Sequence, residues 1–236
     1  MEKFSRRNFI SMTTKFLAGA AVFSIAPNFT YAEEKISEEK IIPLEETILS
    51  PAKAMEKVLP FDMPKLKNLK TLGELKVSAP KLKFVDEMGQ RRYTSAIVIH
   101  HAGMSRNEDM TLNAIHKLHL GNGWSGVGYH YVVHKNGVIE HARPMDRIGA
   151  HAYAHNRYSV GICMTGNLDI GVPTAEQTLA TEKLVAALCF QYDITPSSQT
   201  IFGHRDLCAT DCPGYNFYPR MPELIQNVNA TLSKIK

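Results

Sequence analysis

The sequence predicts an α/β fold with a single central mixed β-sheet flanked by helices, preceded by a signal peptide and an extended tether. From residue 93 onward, short β-branched segments alternate with longer segments in which apolar residues recur at helical spacing. Asn136-Gly137 stands between two apolar segments and is the strongest short signal for a β-hairpin. The roughly 140 residues after residue 92 are enough to bury one hydrophobic core.

The first half of this domain predicts four strands and one helix. Ser95–His100 is a short apolar, β-branched segment of the kind that forms a buried strand. Thr111–Leu120 has the pattern of a helix that ends at Gly121. The other three predicted strands are Tyr129–His134, Val138–His141 and Ser159–Met164.

The second half predicts two further helices and one strand. Thr174 and Gln177 form the pattern of a capping box, which predicts a helix from there to about Tyr192. Gln199–Phe202 is a short strand, and Pro222 suits the first position of a final helix. The apolar residues of that helix fall on one stripe. They are Leu224, Ile225, Val228, Leu232 and Ile235.

Residues 1–32 are typical of a bacterial export signal. Arg6-Arg7 resembles the core of a twin-arginine signal, residues 16–26 are an apolar segment, and Thr30-Tyr31-Ala32 is a small-residue cleavage pattern. A bilayer-spanning helix needs about 20 apolar residues, so we expect no stable membrane anchor after cleavage. The alternative is a buried N-terminal helix. The pattern therefore predicts the twin-arginine export machinery as a partner and a periplasmic or other extracytoplasmic location.

The charge balance changes when the export signal is set aside. The chain has a formal net charge of +4, of which residues 1–32 carry +3. What remains is close to neutral and gives no case for a nucleic-acid partner.

Residues 33–92 are rich in Lys, Glu and scattered Pro, and we interpret them as a tether whose last part could dock on the domain. Residues 93–236 form the predicted domain.

Histidines and cysteines gather in separate segments of this domain. His100 and His101 end the first strand, His204 follows the last strand, and Cys208 and Cys212 come soon after it. Imidazole and thiolate groups are ligands that Zn²⁺ takes, and three protein ligands with one position left for water are typical of a catalytic zinc. The segments are far apart in sequence, so only the fold can bring these side chains together.

Six short motifs between Ser95 and Phe217 carry a family resemblance. They are Ile99-His100-His101, Gly123–His130, Asn136-Gly137, Ile148–His151, Ser159–Cys163, and Gly203–Asp206 with Cys212-Pro213-Gly214. In order and spacing they resemble the zinc-dependent N-acetylmuramoyl-L-alanine amidases, the type shared by phage lysozyme-like amidases and peptidoglycan recognition proteins. The resemblance covers a little over half of the chain and does not extend to residues 33–90.

The resemblance implies a set of zinc ligands, namely His100, His204 and Cys212. A cysteine eight residues after the histidine matches the family's spacing, which favours Cys212 over Cys208 as the third ligand. In an exported protein four cysteines also raise the question of disulfides. With Cys212 on zinc, we interpret Cys163 and Cys189 as buried thiols.

The resemblance also implies two catalytic residues. Tyr129 would lie near the metal, where its hydroxyl can hold the attacking water or stabilise the developing oxyanion. Thr210 matches a position that carries Lys or Thr in active relatives and would act as a neutral donor. A recycling branch of the superfamily has a glutamate where this chain has Cys163, and a buried thiol is a poor substitute in proton transfer. The proton shuttle therefore stays unassigned.

The implied function is hydrolysis of the amide bond between N-acetylmuramic acid and the L-alanine of the stem peptide by zinc-activated water. Peptidoglycan or a muropeptide would be the substrate, and His151, Asn156 and Trp124 are the candidate substrate-binding residues. Three alternatives remain open. They are a peptidoglycan-binding module without catalysis, an amidase for soluble anhydro-muropeptides, and a zinc peptidase acting on another bond of the stem peptide.

Overall fold

The computed structural model describes residue 75 and residues 77–235. The predicted signal peptide and most of the predicted tether lie outside the described residues. Among the residues it describes, no helix combines the length and the apolar character that a membrane crossing requires.

Six strands form one mixed sheet in the order β1-β4-β3-β5-β2-β6. The strands are β1 (Val77–Ser78), β2 (Ala96–His101), β3 (Tyr131–Val133), β4 (Ile139–His141), β5 (Ser159–Met164) and β6 (Ile201–Gly203). β3 and β4 pair antiparallel through the predicted hairpin, whose turn residue Gly137 has a positive φ of 79°. The other neighbouring strands pair parallel. The prediction of a single central mixed sheet is confirmed.

In the described part of the chain, three α-helices accompany the sheet, namely α1 (Leu112–Gly121), α2 (Ala175–Tyr192) and α3 (Met221–Ser233). Thr111 caps α1 by accepting the N–H of Ala114, as expected for a residue just before a helix. The sequence predicted Pro222 as the first residue of α3. The helix begins at Met221, so Pro222 is its second residue.

The predicted capping box of α2 is half wrong. The Thr174 hydroxyl does accept the N–H of Gln177 at 3.0 Å. The Gln177 side chain, however, does not return to the cap. It is fully buried and donates to the carbonyls of Val133 and Thr165, which end β3 and follow β5. These buried carbonyls need a donor, so the glutamine ties the first turn of α2 to the sheet instead.

The sheet separates two cores of different size. On the face we call the scaffold face, α2 and α3 pack on alternate strand residues such as Ile97, Ile99 and Ile162. On the opposite face, which we call the site face, α1 packs over a smaller core that includes Val132 and Cys163. Successive side chains of a strand point to opposite faces, so the residue after Ile99, His100, projects on the site face.

The last residues of the predicted tether are part of this folded body. Val77–Ser78 adds the edge strand beside β4, and Gln90 forms a bridge with Arg147. The Phe84 ring lies at 90° to the His116 ring, with 5.3 Å between the ring centroids. Leu82 and Phe84, from the predicted tether, therefore pack against the site-face core.

Candidate metal centre and active site

The three predicted ligands meet at the carboxyl ends of β2 and β6. His100 is near the carboxyl end of β2, and His204 directly follows β6, the parallel neighbour of β2. Cys212 reaches the same point from the loop after the short 3₁₀ turn His204–Asp206. One ligand atom from each of the three lies within 4.8 Å of the others. No second group of this kind occurs among the described residues, and Cys208 does not belong to this one.

Backbone contacts hold the Cys212 thiol in place. Its Sγ lies 3.6 Å from His100 Nδ1 and accepts the backbone N–H of His101 at 3.4 Å. The Thr210 hydroxyl accepts the N–H of Cys212 at 3.2 Å, and the Cys212 carbonyl accepts the N–H of Arg205 at 2.8 Å. Both ends of the cysteine's backbone are therefore fixed, and the thiol faces the two imidazoles.

Burial keeps all three groups neutral when no cation is present. Burial holds the pKa of His100 well below its usual value, and the neighbouring imidazoles of His151 and His204 lower it further. Burial also lowers the pKa of His204 and raises the pKa of the Cys212 thiol to about 12. The imidazole lone pairs are thus available, and a cation at the centre would favour the thiolate. This donor set suits a metal that takes nitrogen and sulfur ligands, as Zn²⁺ does.

Tyr129 lies beside this group. Its ring centroid is 5.1 Å from that of His100, and its hydroxyl hydrogen-bonds to Cys163. Burial, and then the thiols of Cys163 and Cys212, raise the pKa of Tyr129 well above its usual value. Burial likewise raises the pKa of Cys163, which pairs with His100 across β2 and β5. Both groups keep their protons, so Tyr129 can donate a hydrogen bond and Cys163 is a poor base.

Trp124 lies on the rim of the same region. The residue is 41% exposed, and its ring centroid lies 4.6 Å from that of His119, which is itself 5.4 Å from that of Tyr129. The His119 ring therefore lies between the exposed indole and the Tyr129 ring. This placement suits the predicted contact with substrate, which stays a prediction.

Two histidines of α1 fix the loop that leads to Tyr129, a role that the sequence analysis did not find. Nδ1 of His116 accepts the N–H of Val127 at 3.1 Å, and Nδ1 of His119 accepts the N–H of Gly128 at 3.0 Å. Both rings are buried. Their spacing of three residues on one helix face was the available signal, because two such side chains can bond consecutive residues of one facing loop.

His151 and Asn156, predicted to contact substrate, take part in contacts within the protein. Nδ1 of the buried His151 lies 3.1 Å from Nε2 of His100. Asn156 Oδ1 accepts the N–H groups of His151 at 2.8 Å and Ala152 at 2.9 Å. Burial, and then the charges of His204 and Arg91, lower the pKa of His151 to about 3. Contact of either residue with substrate stays a prediction.

His101 serves the site through its backbone, while its side chain turns to the scaffold face. Its Nδ1 accepts the N–H of Leu168 at 2.9 Å, and its Nε2 lies 3.8 Å from Asp169. The tandem histidines at the end of β2 therefore have separate roles, because neighbouring strand residues point in opposite directions. All four cysteines are free thiols.

Comparison with protein families identifies the chain. A family model described as N-acetylmuramoyl-L-alanine amidase (Amidase_2) matches residues 90–215, more than half of the chain. The endolysin of Klebsiella phage KP32 is 29% identical over 128 residues, which are 54% of this chain and 85% of that protein. The peptidoglycan-recognition protein SC1a of Drosophila melanogaster is 28% identical over 137 residues, 56% of this chain and 74% of that protein.

Solved structures agree with the family model. The endolysin N-acetylmuramoyl-L-alanine amidase LysCS from Clostridium intestinale is 30% identical with a TM-score of 0.60, over 65% of this chain and 95% of that chain. Drosophila PGRP-LB is 26% identical with a TM-score of 0.52, over 61% of this chain and 91% of that chain. The residues matched by the family model, 90–215, include β2 to β6 together with His100, His204 and Cys212. The chain belongs to the N-acetylmuramoyl-L-alanine amidase family.

Proposed function

We propose that this protein is an exported zinc amidase that hydrolyses the amide bond between N-acetylmuramic acid and the L-alanine of the peptidoglycan stem peptide. The observation that carries the proposal is the convergence of His100, His204 and Cys212, whose ligand atoms lie within 4.8 Å of one another. Family membership and the similarity to LysCS, which is named as an N-acetylmuramoyl-L-alanine amidase, support the reaction class.

Zinc is the metal that the ligand group fits. Two neutral imidazoles and one thiolate are a ligand set that Zn²⁺ accepts, and three protein ligands are the usual number in catalytic sites. Nδ1 is the atom through which His100 would bind, because that atom faces the Cys212 thiol. When bound, zinc would polarise the scissile carbonyl and make an attacking water more acidic.

Two hydroxyl groups would stabilise the oxygen that gains negative charge. The raised pKa of Tyr129 means that its phenol keeps its proton at neutral pH and can donate it in a hydrogen bond. The Thr210 oxygen already accepts the Cys212 N–H, which leaves the hydroxyl proton of Thr210 for a second donation. The Tyr129 hydroxyl is bonded to Cys163 and the Thr210 hydroxyl to the Cys212 backbone before substrate arrives, so little reorganisation would be needed.

The substrate would enter past Trp124. Its partly exposed ring is a flat apolar surface. It lies on the loop whose backbone is hydrogen-bonded to His116 and His119 of α1. A ring of this kind suits the apolar face of a sugar. The scissile amide would then lie between this rim and the ligand group.

Peptidoglycan binding without catalysis is a second candidate, favoured by the similarity to peptidoglycan-recognition protein SC1a. It would need the same cleft but no metal chemistry. The complete set of His100, His204, Cys212 and Tyr129 supports the enzyme over this alternative.

Export by the twin-arginine route is proposed from Arg6-Arg7 and the residues that follow them. Replacing both arginines by lysine should keep the protein in the cytoplasm, as measured by cell fractionation. Normal export of that variant would contradict the route and leave the amidase proposal untouched.

The deciding experiment is digestion of isolated peptidoglycan by the protein lacking residues 1–32, with mass spectrometry of the soluble products. With zinc we expect stem peptides that begin with L-alanine. A chelator or Cys212→Ala should abolish their release. Cys208→Ala is the matched control, since Cys208 lies four residues away and outside the ligand group, and it should retain release.

Other products would point to the alternatives. Tight retention of peptidoglycan with no released peptide would favour the binding module. Peptides that begin at another residue would favour a peptidase. Release from soluble anhydro-muropeptides, with none from intact peptidoglycan, would favour an enzyme that processes wall fragments.

A further inference from the structure

One contact of the ligand group joins two imidazoles. His100 Nε2 lies 3.1 Å from His151 Nδ1, and the two rings stand nearly perpendicular, with centroids 5.1 Å apart. The two residues are 51 positions apart in sequence. His151 is buried, so substrate reaches it less easily than it reaches the exposed Trp124.

The geometry at His100 sets the direction of this hydrogen bond. Nδ1 of His100 faces the Cys212 thiol at 3.6 Å. A neutral imidazole that offers its Nδ1 lone pair to a metal carries its hydrogen on Nε2. His100 therefore donates to His151, whose Nδ1 accepts. Metal-binding histidines usually donate their second N–H in this way, commonly to a carboxylate or a carbonyl. Here a neutral imidazole takes that place.

Two glycines make room for the His151 ring. A Cβ on Gly149 would lie 2.4 Å from His151 Cδ2, and a Cβ on Gly161 would lie 2.5 Å from the same atom. Real Cβ atoms do not approach other atoms so closely. Gly161 lies on the site face of β5, next to Cys163, so the ring fills space that a larger residue would occupy. These glycines belong to motifs that the proposed chemistry does not otherwise use.

Other contacts hold the ring from behind. Asn156 accepts the backbone N–H of His151, and the His130 ring packs against the His151 ring at 5.6 Å. His130 is itself fixed, because its Nδ1 accepts the N–H of Gly161 and its Nε2 donates to the carbonyl of Arg147. The His151 ring is therefore held between the His130 ring and His100.

We propose that His151 is a positioning residue that accepts the Nε2–H of His100 and thereby holds the Nδ1 of His100 toward the metal position. This inference rests on the proposed zinc amidase function. It assigns His151 to the support of a ligand, where the sequence suggested contact with substrate. Gly149 and Gly161 are glycines because this ring must lie directly against His100.

Zinc affinity tests the proposal without relying on activity. Purified full-length protein and variants would be stripped of metal and titrated with zinc against a chromophoric chelator. His151→Leu removes the acceptor and should weaken zinc binding about 10- to 100-fold. His151→Asn places an amide oxygen near the former Nδ1 and should stay within about threefold of wild type. Circular dichroism of the metal-free proteins checks that each variant folds.

His134→Gln is the matched control. His134 also bonds through both ring nitrogens, to Asp109 at 2.9 Å and to Glu140 at 2.8 Å, but it is not a member of the ligand group. Its loss should leave zinc affinity unchanged. If the leucine variant does not fold, His151→Ala replaces it and should show the same loss.

The outcomes separate this role from the proposed function. Weak binding by the leucine variant with recovery in the asparagine variant supports positioning. Wild-type affinity in the leucine variant, or an equal loss in both, overturns it. A wild-type protein that binds no zinc overturns both proposals. Zinc binding with the expected order of variants, but without release of peptides from peptidoglycan, keeps the positioning role and overturns the amidase.

Discussion

The two faces of the sheet are made by the same strands but contain different chemistry. On the scaffold face, α2 and α3 bury aliphatic side chains such as Ile99 and Leu184. On the site face, β2 contributes His100, β5 contributes Gly161 and Cys163, and buried imidazoles pack around them. A strand's alternation thus lets neighbouring residues serve stability and chemistry separately. Substitutions on one face should change the free energy of unfolding, and those on the other should change metal binding or catalysis.

The largest expected effect comes from a cavity on the scaffold face. Leu184 of α2 is fully buried, so Leu184→Ala should lower the free energy of unfolding by about 2–5 kcal/mol. Leu179 lies on the same helix but is 52% exposed. Leu179→Ala should therefore change the free energy of unfolding by less than about 0.5 kcal/mol. Urea denaturation measures both. Zinc affinity of folded Leu184→Ala should match wild type, and a marked loss would mean that the faces are not independent.

The next effect concerns two tyrosines that are two residues apart and lie on opposite faces. Tyr129→Phe removes a hydroxyl beside the ligand group and should lower kcat about 10²- to 10³-fold, as loss of an oxyanion donor does. Tyr131→Phe removes a buried hydroxyl that has no hydrogen-bond partner among the described residues, on the scaffold face. It should leave kcat unchanged. Equal losses in steady-state assays on peptidoglycan would contradict the division between the faces.

A third effect tests the space that glycine leaves on the site face. The added Cβ of Gly161→Ala would lie 2.5 Å from the His151 ring and push it away from His100. We expect zinc affinity to fall about 10-fold, toward the value of a protein without that acceptor. Gly121→Ala is the control, because its Cβ would meet no atom within 4 Å. If both alanine variants bind zinc like wild type, the ring has other room to move.

The separation of the two faces could be predicted from sequence where it depends on local pattern. The β-branched segment before His100, the Asn-Gly turn and the apolar stripe of α3 predicted elements that the structure contains. The family resemblance also implied the grouping of His100, His204 and Cys212 that the structure shows. These features repeat at fixed spacing or belong to a family pattern.

What could not be predicted depends on contacts between distant residues. The hydrogen bond between His100 and His151, and the bonds of Gln177 to two strand carbonyls, join positions whose distance no periodicity encodes. The edge strand Val77–Ser78 has only two residues, too few for alternation to show. Its pairing depends on the exposed side of β4, which exists only after the sheet forms.

The smallest expected effect comes from Asp109, a loop residue outside the ligand group. Burial would raise the pKa of Asp109, but hydrogen bonds from Thr165 and His134 outweigh it and hold that pKa below its usual value. A carboxylate whose pKa is lowered in the folded state stabilises the protein above about pH 4. That stabilisation is lost as the pH falls through the folded-state pKa. Asp109→Asn should therefore be less stable than wild type at pH 6, and the difference should shrink below pH 4.

Parallel urea denaturation of both proteins measures this difference, and loss of any bound metal at low pH cancels between them. Glu108→Gln is the control, since its carboxylate contacts the exposed Arg106 at 3.4 Å and such surface pairs contribute little. A pH-independent difference for Asp109→Asn would mean that the carboxylate acts through packing and not through its charge. Unchanged zinc affinity in the same variant is expected, because neither Asp109 nor its partner His134 belongs to the ligand group.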